Sequence, residues 1–218
     1  MPKLLELFCG TKSISKAFEA AGWETYTVDW NKSFNPTLCA DVGSLNKEDL
    51  IKLCGGVPDV VWLSPDCTTY SIAGIRFHRR KIQGTDKTEP ISDYAVQCDK
   101  TNAHIIEVVK ELGCIYFIEN PRGCFRKMDF VKGLPMYTVT YCQYGDTRMK
   151  PTDIFTNHPL PQFKPPCKNG DKCHEAAPRG SQTGTQALKT RRDRAVIPIG
   201  LCEHIVEICK NGTDTIKP

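Results

Sequence analysis

Four short apolar runs in the first half of the chain each end at a cluster of polar, glycine or proline residues. These runs are Lys3–Phe8, Glu24–Val28, Val57–Leu63 and Cys114–Ile118. Between them lie segments with helical periodicity. In the first, Ile14, Ala17, Phe18 and Ala21 share a face and Gly22 supplies the stop. Asn46–Cys54 reads as a second helix, with Asn46 as N-cap, Asp49 three residues on, and Gly55-Gly56 closing it. Ser92–Leu112 is a long third helix ended by Gly113. Continuous apolar runs such as Val57–Leu63 suit strands buried on both faces. Strand and helix alternating at this spacing predict an α/β fold with a mainly parallel sheet and helices on both faces. Ligands of such sheets bind outside the carboxyl ends of the strands.

The residues following each strand therefore matter most. Cys9-Gly10-Thr11-Lys12-Ser13 follows the first, Asp29-Trp30 the second, Ser64-Pro65-Asp66-Cys67-Thr68 the third, and Glu119-Asn120-Pro121 the fourth. A glycine between strand and helix permits close backbone approach to a ligand. There is no Gly-x-Gly-x-x-Gly run and no P-loop. Asp29, about twenty residues after Gly10, is placed to accept hydrogen bonds from ribose hydroxyls, with Trp30 free to stack on an adenine ring. Asp41 can reach an adenine amino group or simply cap a loop. Cys67, in a proline-containing turn, is the cysteine best placed for nucleophilic chemistry, and Arg76, Arg79, Arg80 and Lys81 just downstream offer positive potential. Glu119 at the sheet edge is a candidate acid.

The second half changes character. Met136–Gln143 and Asp153–Thr156 read as strands, and Pro198–Lys210 as a closing helix with Leu201, Ile205 and Ile208 on one face. From His158 to Thr190 hydrophobic periodicity nearly vanishes, predicting a long functional loop or small subdomain. The expected division is 1–157, 158–190 and 191–218. Twelve cysteines without a Cys-x-x-Cys pair, in a chain whose start has Glu6 inside the would-be signal region, fit reduced thiols in a cytosol. The net charge of +4 is too small by itself to imply nucleic acid, and no apolar stretch approaches membrane-spanning length. Cys167-x5-Cys173-His174 offers three possible zinc ligands, but no fourth is evident, and the expected site contains no metal.

These pieces, in this order, resemble the DNA cytosine-5 methyltransferase family, in a short branch like its phage and mobile-element members. Phe8-Cys9-Gly10-Thr11 resembles the first cofactor motif, Asp29-Trp30 and Asp41 the second and third. Ser64-Pro65-Asp66-Cys67-Thr68 resembles the nucleophile loop, and Glu119-Asn120-Pro121 the acid motif. Gln143 through Arg148, with Lys150-Pro151-Thr152, resembles the Gln-x-Arg-x-Arg segment. Arg194 to Leu201 resembles a late Arg-x-Leu-Thr-Pro motif. Asp66 stands where the family has proline, Ser13 replaces a glycine, and the final Gly-Asn motif is not recognisable.

The resemblance implies a Rossmann-like, S-adenosylmethionine-dependent methyltransferase with a minimal recognition region. It implies catalytic roles for Cys67, Glu119, Gln143 and Arg148. Phe8, Gly10, Thr11, Asp29, Trp30, Asp41 and Pro65 would line the cofactor. The implied substrate is a cytosine flipped from double-stranded DNA, with Arg76, Arg79, Arg80 and Lys81 on its phosphates. The expected setting is a monomer, without membrane, in a phage or bacterial cytoplasm, of restriction-modification type. Transfer-RNA enzymes share these motifs, so an RNA cytosine-5 methyltransferase is the alternative, and a catalytically weak nucleic-acid-binding relative is a third reading.

Overall fold

The computed structural model describes residues 1–176, 188 and 190–213. The chain runs β1 (Lys3–Leu7), α1 (Ser13–Ala20), β2 (Glu24–Asp29), β3 (Leu38–Cys39), α2 (Lys47–Cys54) and β4 (Val60–Leu63). It continues through α3 (Ile75–His78), β5 (Arg79–Lys81), β6 (Thr88–Pro90), α4 (Asp93–Leu112) and β7 (Ile115–Pro121). It ends with β8 (Met136–Thr140), β9 (Pro151–Thr156), α5 (Arg191–Ala195) and α6 (Ile199–Thr213). Seven strands form one sheet in the order β3-β2-β1-β4-β7-β9-β8, and β5 and β6 make a separate antiparallel ribbon. The first five sheet strands pair in parallel, whereas β9 runs antiparallel to both β7 and β8.

Consecutive residues of the central strands point to opposite faces, which explains their unbroken apolar sequences. Leu5, Val61 and Leu63 join Leu50, Ile105 and Val109 in a core beneath α2 and α4. Leu4, Val60 and Trp62 join Ile14, Phe18, Leu201 and Ile205 in a second core beneath α1 and α6. α2 carries the expected reciprocal cap: Asp49 N donates to Asn46 Oδ1 at 2.9 Å, and Asn46 N to Asp49 Oδ2 at 3.0 Å. The chain leaves β1 toward β2 and β3, then returns to place β4 on the other side of β1. That reversal opens a crevice at the carboxyl ends of β1 and β4.

Sequence expectations differ from the structure in a few elements. The strand expected over Val57–Leu63 begins only at Val60, after Pro58. β8 stops at Thr140, where a 3-10 turn over Tyr141–Tyr144 replaces the expected strand end. That turn closes on Gly145 at φ 88°, a left-handed position suited to glycine. The ribbon of β5 and β6 was not foreseen; its strands are three residues each, too short for a period-two signal. Of the expected recognition segment, 177–187 and 189 lie outside the described residues, as do 214–218 of the closing segment. Among the described residues, no helix is long and apolar enough to cross a membrane.

Candidate active site

The turn after β1 brings Phe8, Gly10 and Lys12 to positive φ values of 56°, 44° and 55° before α1 begins. Gly10 N donates to Asp29 Oδ2 at 3.0 Å, and Asn31 N donates to Asp29 Oδ1 at 2.9 Å. The buried Asp29 carboxylate thus fixes the ends of β1 and β2 to each other. Trp30, next to it, is 74% exposed, with a bare ring face at the crevice edge. Asp41 Oδ1 accepts from Gly43 N at 2.9 Å and caps the following 3-10 turn, the plainer of its two expected roles.

The loop after β4 is held from several sides. Asn120 Nδ2, on β7, donates to Pro65 O at 2.9 Å. The adjacent Glu119 and the loop carrying Cys67 are therefore positioned by neighbouring residues of one strand. Tyr70 N and Ser71 N both donate to Cys67 O, at 3.1 and 2.9 Å. Backbone packs directly on backbone here: a Cβ on Gly74 would sit 2.0 Å from Thr68 O, and one on Gly123 2.4 Å from Tyr70 O. Asp66 Oδ1 accepts from Thr68 N at 2.7 Å while Oδ2 accepts from Tyr94 OH, so α4 also grips the loop.

The electrostatics separate the two reactive groups from their solution behaviour. Burial, with the charges of Glu119 and Asp66, pushes the Cys67 thiol up to about 11. Burial likewise raises Glu119 above the carboxylate range, although Tyr141 OH donates to its Oε1 at 3.0 Å. Lys150 opposes both shifts, being the cation that draws each group toward its ionised form. Its Nζ lies 4.4 Å from the Tyr141 ring centroid and donates to Arg194 O at 3.0 Å. Sequence reasoning quoted Lys150 as part of a motif but gave this charge role to the downstream arginines.

Those arginines need correction. Arg79 does not face solvent: its side chain is 0% exposed and ion-paired with Asp99. Its Nε donates to Thr69 O at 2.8 Å and its guanidinium stacks 4.2 Å from the Tyr70 ring centroid. Tyr70 OH in turn donates to Asp99 at 2.7 Å and accepts from Asn102 at 2.9 Å. Arg79 therefore braces the Cys67 loop from beneath and cannot touch phosphates. The alternation of β5 turns Arg79 inward, while Arg80 and Lys81 remain exposed. Arg80 pairs with Glu89, and Arg76, also exposed, lies over the Phe77 ring.

Gln143 and Arg148 are not brought to Cys67 by hydrogen bonds. Gln143 Nε2 donates to Cys173 Sγ at 3.5 Å. Arg148 is buried against Asp146, its Nε 2.9 Å from both carboxylate oxygens, and borders the site through the Tyr141 ring and its repulsion of Lys150. Its Nη1 has no hydrogen-bond partner among the described residues.

Over 225 aligned residues the chain is 27% identical to the probable DNA (cytosine-5)-methyltransferase of Frog virus 3 (isolate Goorha), covering 95% of this chain and 100% of that protein. The chain is related to the cytosine-5 methyltransferases. Among solved structures, the Entamoeba histolytica methyltransferase EhMeth superposes with a TM-score of 0.51 at 13% identity, over 75% of this chain and 55% of that one. A Dnmt2 methyltransferase from S. pombe gives 0.47 at 14% identity, over 71% and 48%. The chain spans about half the length of these solved structures. The shared fold is the Rossmann-like one of S-adenosylmethionine-dependent methyltransferases. No protein-family model matches the chain.

A thiol held at about 11 is neutral at pH 7, and its thiolate fraction rises tenfold per pH unit below that value. Alkylation of Cys67 by iodoacetamide, followed on its own peptide by mass spectrometry, should therefore accelerate about tenfold per unit between pH 7 and 9. Lys150→Met should slow it severalfold at any fixed pH in that range. A pH-independent rate, or a faster variant, would show that Lys150 does not support the thiolate.

Proposed function

We propose that the chain transfers a methyl group to C5 of a cytosine flipped out of double-stranded DNA, acting as a monomer. The observation carrying this reading is the shared anchoring of Cys67 and Glu119. Asn120 ties the thiol's loop to the acid's own strand, and Lys150 acts on both groups.

Cytosine C5 is a poor nucleophile until a sulfur adds to C6. Cys67 is the group that forms the S–C6 bond, and its thiol proton must leave first. Lys150 stabilises the resulting thiolate. Electron density from the attack accumulates on the ring, and Glu119, whose hold on a proton burial strengthens, is the group placed to donate a proton at N3. Tyr141 holds the Glu119 carboxyl in orientation. Once C5 carries the methyl group, its proton passes to solvent, the S–C6 bond breaks with its electron pair returning to Cys67, and N3 returns its proton to Glu119, which restores the aromatic ring.

S-adenosylmethionine would lie across the carboxyl ends of β1 and β2 and, when bound, would supply the methyl group. The turn at Gly10 leaves room for close approach, since a Cβ there would meet nothing nearer than 4.0 Å. Phe8 and Thr11 flank Gly10 in that turn, Pro65 would line the cofactor from the loop after β4, Asp29 offers carboxylate lone pairs to ribose hydroxyls, and Trp30 is exposed beside it. Asp41, with one oxygen spent on its cap, would contribute through the other. Asp29→Ala should weaken cofactor binding by roughly 1–3 kcal/mol through lost charge-assisted hydrogen bonds, measured by calorimetry. An unchanged affinity would remove Asp29 from the site.

DNA is favoured over RNA by the similarity to the probable DNA (cytosine-5)-methyltransferase of Frog virus 3. The segment after Cys67 suits a duplex: Ile72 and Phe77 are 81% and 61% exposed, beside the cations Arg76, Arg80 and Lys81. Bare apolar side chains can fill a stack that has lost a base, and the cations can contact phosphates. Labelled S-adenosylmethionine incubated in parallel with duplex DNA and with transfer RNA decides between them. Label in cytosine C5 of DNA alone is the expected result, and label in RNA alone overturns the DNA assignment.

A further inference from the structure

The 3-10 turn at the end of β8 puts Cys142 against the irregular segment that follows β9. Cys167 N donates to Thr140 Oγ1 at 3.0 Å, which draws that segment onto the turn. Four side-chain atoms then converge: the sulfurs of Cys142, Cys167 and Cys173 and Nδ1 of His174, all within 4.8 Å of one another. Cys142 lies 3.1 Å from Cys167 and 3.6 Å from Cys173. His174 Nδ1 lies 3.7 Å from each of Cys167 and Cys173.

Three of these four separations match one coordination sphere, and the Cys142–Cys167 pair at 3.1 Å is closer than that sphere sets. Zinc bonds of about 2.3 Å to sulfur and about 2.0–2.1 Å to nitrogen place tetrahedral ligands roughly 3.5–3.8 Å apart. They do not match a disulfide, whose sulfurs lie about 2.05 Å apart. The donor set contains no carboxylate, and three soft sulfurs with one imidazole select zinc over calcium or magnesium. The segment also needs a fastening. Between 158 and 176 the apolar side chains packed into the body of the protein are few: Pro161, Phe163 and Cys167.

We propose that Cys142, Cys167, Cys173 and His174 form a structural zinc site. The sequence pattern Cys167-x5-Cys173-His174 lacked its fourth ligand because Cys142 is 25 residues away, on the turn that also carries Gln143. On binding, the three thiols release their protons to solvent and the imidazole binds in its neutral form through Nδ1. With four protein ligands no position is left open, so the metal clamps and does not catalyse. Gln143 Nε2, donating to Cys173 Sγ, steadies a metal-bound thiolate. The clamp fixes the start of the irregular segment to the edge of the catalytic sheet, and it stands whether the nucleic acid is DNA or RNA.

The test uses the full chain purified under reducing conditions without chelator. Elemental analysis should find one zinc per chain, and replacement by cobalt(II) should give the intense visible bands of a tetrahedral thiolate site. Cys173→Ser and His174→Ala should each weaken cobalt binding by roughly tenfold or more, whereas Cys39→Ser, an exposed cysteine elsewhere, should leave it unchanged. If the ligand variants fail to fold, the cobalt spectrum of the unaltered chain decides alone. A reduced chain that holds no zinc and shows no tetrahedral cobalt bands overturns the proposal. So does a Cys142–Cys167 disulfide in the purified protein, or equal loss of cobalt in Cys39→Ser and Cys173→Ser.

Discussion

Cys67→Ser should lower methyl transfer by at least about three orders of magnitude while the protein folds and binds its cofactor as before. Serine cannot supply a comparable anionic nucleophile near neutral pH, and the barrier for addition to C6 rises by roughly 4 kcal/mol or more. The exchange is nearly isosteric, and the loop's anchors are all backbone groups or other side chains: Asn120 on Pro65, Ser71 N on Cys67 O, Gly74 on Thr68. Fold and cofactor affinity should therefore persist. DNA carrying 5-fluorocytosine sharpens the test, because the fluorine cannot leave as a proton and the S–C6 adduct survives denaturing electrophoresis. A slow-migrating covalent species is expected with the unaltered chain. The same species with Cys67→Ser would mean that another residue attacks.

The second large effect is on stability and concerns a residue that sequence alone assigned to DNA. Arg79→Ala should destabilise the chain by about 3 kcal/mol, lowering the melting temperature by roughly 6–12 °C. Its guanidinium is fully buried, and its removal strips Asp99 of its cation and Thr69 O of a donor. Asp99 retains partial solvent access and Tyr70, which keeps the loss below that of a wholly enclosed pair. Arg80→Ala should cost no more than about 0.5 kcal/mol, since its pair with Glu89 is exposed. Thermal melts of the two variants side by side make the comparison. Equal melting temperatures would refute the bracing role, and DNA affinity measured against salt should then show a reduced slope for Arg79→Ala as well.

The contrast between these arginines marks where sequence was informative. The parallel α/β class was legible because β4 and β7 are buried on both faces and open as apolar runs, with β1 apolar but for Lys3 and Glu6. Asp29, Cys67 and Glu119 could be singled out as candidates because each lies at or just past the end of an expected strand. Arg79 was not, because in a ribbon of three-residue strands one step of register decides between solvent and core, and no periodicity announces which. Cys142 was equally hidden: nothing local distinguishes it from the other buried cysteines, and its companions arrive only when β9 and the segment beyond it fold back. Lys150 was quoted for its motif, yet its influence on both Cys67 and Glu119 follows from antiparallel β9 lying beside β7.

Gly74, Gly123 and Asn120 carry a consequence for motion. Two backbone-to-backbone contacts too close for any side chain, and one amide bond to a carbonyl on the neighbouring strand, leave the Cys67 loop without a cheap way to open. Its conformational entropy is surrendered when the sheet forms, not when a base arrives. Fraying of that loop should thereby be coupled to disruption of β4 and β7 at the centre of the sheet, and hydrogen exchange of its amides should be as slow as that of those strands.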